Sequence, residues 1–111
     1  MPVVRQRSDM PARSGPGWTE ATCAGPALFG EPVPMSAREY LIDPGASGPP
    51  IEITGAEAMA YVAAGSGTAE AGGERFPLAP ESVLWLSQAG QLVFTAGPEG
   101  LAVLVAESAS A

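Results

Sequence analysis

Apolar residues recur along this chain in short runs, mostly alternating with polar ones, and almost every run is cut off by glycine or proline. That period of two, with turn residues at close intervals, predicts strands and few helices. The runs fall at residues 18–23, 35–43, 58–64, 68–71, 74–78, 83–86, 91–96 and 101–107. Pro44-Gly45 ends the second of them, Gly65-Ser66-Gly67 reads as a hairpin, Gly72-Gly73 as a tight turn, and residues 97–100 as another turn. Residues 25–34 read as a Gly/Pro-rich loop around Phe29. The run at residues 83–86 (VLWL) is continuously apolar, which predicts a strand buried on both faces. About eight to ten short antiparallel strands at this spacing define an all-β chain and suit a jelly-roll β-barrel.

Composition sharpens this picture. With 111 residues, the chain is expected to form one domain: an N-terminal arm over 1–17, a barrel over 18–107 and a frayed end over 108–111. Fourteen glycines and twelve prolines agree with many tight turns. The lone cysteine, Cys23, has no partner for an internal disulfide, so nothing points to an oxidising compartment. The N-terminus carries Arg5, Arg7 and Arg13 without an apolar core of the signal-peptide kind, and no run reaches the ~20 apolar residues of a membrane span. The expectation is a cytoplasmic protein with no membrane partner. Net charge is −7, and from Ser14 onward only Arg38 and Arg75 oppose eleven carboxylates, a net −9. Such a surface repels phosphate backbones, so no nucleic-acid partner is expected.

Residues 45–65 (GASGPPIEITGAEAMAYVAAG) carry a more specific signal. Their spacing resembles the first motif of the cupin superfamily, G(X)5HXH(X)3,4E(X)6G, from Gly45 to the closing Gly65 without a gap. Residues 80–89 (PESVLWLSQA) resemble a degraded second motif, with Glu81 and Ala89 in place of two glycines and Ser87 in place of a proline. The resemblance covers roughly residues 35–105. It implies a small cupin-type jelly-roll barrel whose metal ligands are gone. Ile51 and Ile53 stand at the two histidine positions, Ala58 at the glutamate position, and either Leu92 or Val93 at the fourth ligand, depending on register.

The resemblance also implies which side chains face the barrel interior. Besides Ile51, Ile53, Ala58 and Leu92, these are Ala60, Val62 and Phe94, with Ile42, Tyr40 and Arg38 on the strand entering Pro44. An arginine there needs an ionic partner or a place near the rim. Transition metals need imidazole, thiolate or carboxylate donors, and aliphatic groups offer none, so no metal and no cofactor is expected. Glu52 and Glu57 have the opposite strand parity and should face solvent.

Other catalytic constellations are excluded or thin. Without histidine there is no Ser-His or Cys-His pair, and without lysine no Schiff base. The glycines near Ser66 lack the spacing and following helix of a phosphate loop. Trp85 reads as core or as a ligand platform. The reading is a metal-independent cupin that binds a small, largely apolar molecule through Ile42, Ile51, Ile53, Ala58, Ala60, Trp85, Leu92 and Phe94. If it is catalytic, Tyr40 would act as a hydrogen-bond donor or acid and Arg38 as an anion anchor. The reaction would be a non-redox cyclisation, isomerisation or dehydration, as in accessory cyclases of bacterial secondary metabolism. The alternative is a non-catalytic ligand-binding or structural module, and family habit implies a homodimer in either case.

Overall fold

The structure is a computed structural model that describes residues 4–30, 34–55, 57–87 and 90–108. A single 3-10 turn, Arg7–Asp9, precedes β1 (Ala12–Gly15) and β2 (Trp18–Ala24), and the short helix α1 (Pro26–Phe29) follows. Then come β3 (Met35–Ile42), β4 (Ile51–Ile53), β5 (Ala58–Ala71), β6 (Glu74–Leu78), β7 (Val83–Leu86) and β8 (Gly90–Ser108). Among the described residues no helix is long and apolar enough to cross a membrane.

Two long strands organise the barrel. β5 and β8 pair antiparallel along their whole length, from Ala58 opposite Glu107 to Ala71 opposite Leu92. β3 and then β4 flank the far side of β8, while β7 and β6 flank the far side of β5. Both long strands bend where their ladder shifts register, so the sheet doubles into two layers. One layer is ordered β1-β2-β3-β8-β5-β7 and uses residues 101–108 of β8 with 58–65 of β5. The other, ordered β4-β8-β5-β6, uses residues 90–96 and 67–71.

The bend corrects two sequence readings. Residues 65–67 are not a hairpin and residues 97–100 do not reverse the chain: they are the facing corners of two continuing strands, where the ladder shifts register. Glycine is required because the backbones nearly touch. A Cβ on Gly65 would lie 2.1 Å from the Gly100 carbonyl oxygen, and Gly65 and Gly100 both sit at left-handed φ, 80° and 82°. The corner also switches strand parity. Leu92, Phe94 and Ala96 face inward on one side of it, and Leu101, Val103 and Val105 on the other.

The core lies between the layers. Ile42, Ile51, Ile53, Ala58, Ala60, Val62, Leu92 and Phe94 are all buried in one cluster with Tyr40. Glu52 and Glu57 are exposed. At roughly 25 cal/mol per Å² of apolar area, this interior is the main stabilising term.

Other expectations fail here. β7 is not buried on both faces: Val83 and Trp85 are 61% and 59% exposed, alternating with half-buried Leu84 and Leu86. An unbroken apolar run fits either a central strand or an edge strand with a greasy outer face, and among the described residues β7 pairs with β5 alone. Within the expected arm, residues 12–15 form β1 and pair with β2, and the Gly/Pro-rich loop contains α1. The expected frayed end falls on 109–111, outside the described residues, whereas Ser108 belongs to β8.

Candidate functional site

The positions where the resemblance expects metal ligands converge but carry no donors. Ile51 pairs directly with Leu92, and Ile51, Ile53, Ala58 and Leu92 are each at most 3% exposed. Four aliphatic side chains in a dry interior do not fit a metal ion. Among the described residues no cluster of three or more His, Cys, Asp or Glu could hold one either.

Around this aliphatic centre the sheet of β1, β2 and β3 contributes an unexpected polar array. Register places Arg13 opposite Glu20, and Glu20 opposite Tyr40, so all three side chains share the inner face. The Tyr40 hydroxyl donates to the Glu20 carboxylate. Arg13 grips the same carboxylate from the rim, with Nε donating to Oε1 at 2.8 Å and a terminal nitrogen to Oε2 at 3.2 Å. The Arg13 guanidinium also lies 5.4 Å from the Trp18 ring centroid.

The electrostatics follow from burial. Desolvation pushes the Glu20 pKa up, but the bonds from Arg13 and Tyr40 outweigh it and hold the carboxyl below its ordinary range. The Tyr40 phenol is raised, first by burial and then by its bond to Glu20. Tyr40 is therefore a committed donor to an anion and a poor proton source.

Arg38 closes a second array. It donates to Glu107 Oε2 at 2.9 Å, and the other oxygen of Glu107 accepts from the backbone N–H of Thr54 and of Gly55 at 3.1 and 3.0 Å. Glu107 thus staples the loop between β4 and β5 to the end of β8. The expected ionic partner for Arg38 is present. Cys23 is half-buried, with its thiol pushed up by burial and then by Glu39.

Open space lies elsewhere. A cleft of about 340 Å³ opens between the layers at the mouth beside β6 and β7. Its apolar walls are Ile53, Ala71, Phe76 and Leu86, with Trp85 on the rim. Its polar groups are Glu74, Ser87 and Gln91, and no basic side chain lines it among the described residues. Of the residues that the sequence nominated, only Ile53 and Trp85 border this cleft. Ile42, Ala58, Ala60, Ile51, Leu92 and Phe94 pack into the core, and Tyr40 and Arg38 stand away from the cleft.

Sequence reasoning missed Glu20, Glu107, Arg13 and Phe76. Glu20 is two residues from Trp18 and in phase with it, but only the β2–β3 register reveals that it meets Tyr40. Arg13 was grouped with the basic arm because β1 carries no apolar pattern.

At the level of sequence no protein-family model matches the chain, and no curated protein matches it. Solved structures do match in fold. KdgF from Halomonas sp. superposes with a TM-score of 0.70 at 17% identity, over 98% of this chain and 96% of that one. A cupin-2 domain protein from Rhodospirillum rubrum gives 0.70 at 16% identity, over 98% and 75%. An RmlC-like cupin from Shewanella frigidimarina gives 0.71 at 14%, over 94% and 87%. The chain has the fold of the cupin superfamily.

Proposed function

We propose that this cupin binds a small, largely apolar molecule in the cleft at the barrel mouth and does so without a metal. The observation that carries the reading is the cleft itself. At about 340 Å³ it lies in the range of small-molecule sites, and its walls are apolar with a few polar groups at the edge. Trp85 and Phe76 favour a flat or aromatic ligand. Glu74, with no basic side chain among the described residues that line the cleft, disfavours carboxylates and phosphates and favours a neutral or cationic molecule.

Any turnover in such a site would draw on conformational positioning of the bound substrate, a proximity effect suited to a non-redox cyclisation, isomerisation or dehydration. The geometry gives Tyr40 and Arg38 no direct approach to that ligand. Glu74, Ser87 and Gln91 are the groups in reach.

The test is a fluorescence titration with the neutral probe N-phenyl-1-naphthylamine. The wild type should bind one equivalent, with unchanged affinity in EDTA. Ala71→Phe, which fills the cleft from β5, should weaken binding at least tenfold while retaining the fold. Equal binding by Ala71→Phe, or preference for an anionic probe of the same size, would sink the reading.

A further inference from the structure

The polar edge of the cleft is as informative as its apolar walls. On β6 the residues Glu74, Phe76 and Leu78 share one strand parity, and Leu78 is buried in the core, so Glu74 and Phe76 belong to the inner face. Register sets Glu74 opposite Ala71, whose small side chain leaves the cleft open beside the carboxylate. The adjacent cation, Arg75, has the opposite parity and pairs with Glu70 at 3.4 Å. Glu74 itself makes no side-chain hydrogen bond or ion pair among the described residues. Gln91 adds to the same character. Its amide nitrogen donates to Glu52 at 3.0 Å, which fixes the amide and leaves its carbonyl oxygen an unused acceptor among the described residues.

We propose that the ligand of this cleft is an organic amine bound as its cation, an ammonium group on a flat apolar body, and that Glu74 selects it; this rests on the barrel mouth being the binding site. Desolvation decides between a neutral ligand and a cation. A neutral apolar molecule filling the cleft would strip water from the Glu74 carboxylate and return nothing. An ammonium N–H returns a charge-assisted hydrogen bond to that carboxylate, and the Gln91 carbonyl oxygen can accept a second. The aromatic walls act in the same direction. Phe76 and Trp85, the latter 59% exposed at the rim, supply π systems that attract a cation and pack on a flat body. A net charge of −7 draws cations to the molecule and repels anions. At about 340 Å³ the cleft has room for a two-ring amine.

Calorimetric titration at neutral pH with 1-naphthylmethylamine, a cation, and 1-naphthylmethanol, its neutral isostere, tests this. The wild type should bind the amine at least about tenfold more tightly, the yield of one charge-assisted hydrogen bond and one exposed cation–π contact. Glu74→Gln keeps the shape and removes the charge, and should bring the two ligands within about threefold of each other. Glu70→Gln, which removes a carboxylate already paired with Arg75, should keep the wild-type preference. Circular dichroism should show both variants folded, so that a lost preference reports recognition. Titration with N-phenyl-1-naphthylamine separates the amine assignment from the site it assumes. A wild type that binds this probe yet holds amine and alcohol equally, or a folded Glu74→Gln that still prefers the amine, would overturn the assignment and leave a neutral cleft. A wild type that binds none of the three would overturn the cleft as a site, and the amine assignment with it.

Discussion

Removing one oxygen atom tests the polar array. Tyr40 is fully buried and its hydroxyl donates to the carboxylate of Glu20, itself 8% exposed. Tyr40→Phe keeps the ring and deletes the donor. A hydrogen bond to a charged group contributes roughly 1.5–3 kcal/mol. The value here belongs at the low end, because Oε2 retains the Arg13 nitrogen at 3.2 Å and is not orphaned. The expected loss is therefore about 1.5–2 kcal/mol at pH 7, or a fall in Tm of roughly 6–8 °C for a domain of this size.

The effect should depend on pH. Glu20 has a folded-state pKa below its unfolded value, so its contribution is present above the ordinary glutamate range and is lost as pH falls through the folded value. The penalty of Tyr40→Phe should accordingly shrink as pH falls below the ordinary glutamate range, as Glu20 protonates and its bonds weaken. Chemical denaturation of both proteins at pH 7 and pH 3.5 measures this. A penalty under about 0.5 kcal/mol at pH 7, or one identical at both pH values, would refute the argument.

Three further outcomes follow from the same geometry. Glu107→Gln should cost about 3 kcal/mol or more, because it leaves Arg38 without its carboxylate and loosens the loop at Thr54 and Gly55; thermal unfolding checks this, and Arg38→Met with Glu107→Gln together should cost less than the two separate losses summed. Gly65→Ala should destabilise by more than about 2 kcal/mol through its contact with the Gly100 carbonyl and its φ of 80°, whereas Gly90→Ala, where an added Cβ meets nothing, should change stability by under about 1 kcal/mol in urea melts. Elemental analysis after dialysis should find less than about a tenth of an equivalent of transition metal, since Ile51, Ile53, Ala58 and Leu92 supply no donor.

How far the sequence can be read depends on whether a feature is local. The interior was legible because strand parity and motif spacing together point Ile51, Ile53, Ala60, Val62, Leu92 and Phe94 inward, and all six are buried. The glycines at 65–67 and 97–100 were legible as breaks but not as corners, since a hairpin and a bend between layers need the same residue type. Long-range pairing decides between them. β7 misled for a related reason: an unbroken apolar run is the same string for a strand buried on both faces and for one whose outer face, Val83 and Trp85, is exposed. The Glu20–Tyr40 contact and the cleft beside Ala71, Phe76 and Leu86 depend on the register of strands far apart in sequence, which no local pattern encodes.

The most direct test of the central claim is to map a bound ligand on the backbone. Titrating 15N-labelled protein with N-phenyl-1-naphthylamine should shift the amides of Ile53, Ala71, Gly72, Leu86, Ser87 and Gly90, which surround the cleft, and leave those of the Arg38–Glu107 array in place. Shifts clustered instead on Met59, Tyr61 and Leu104, or none at a probe concentration that saturates fluorescence, would contradict a ligand-binding barrel mouth.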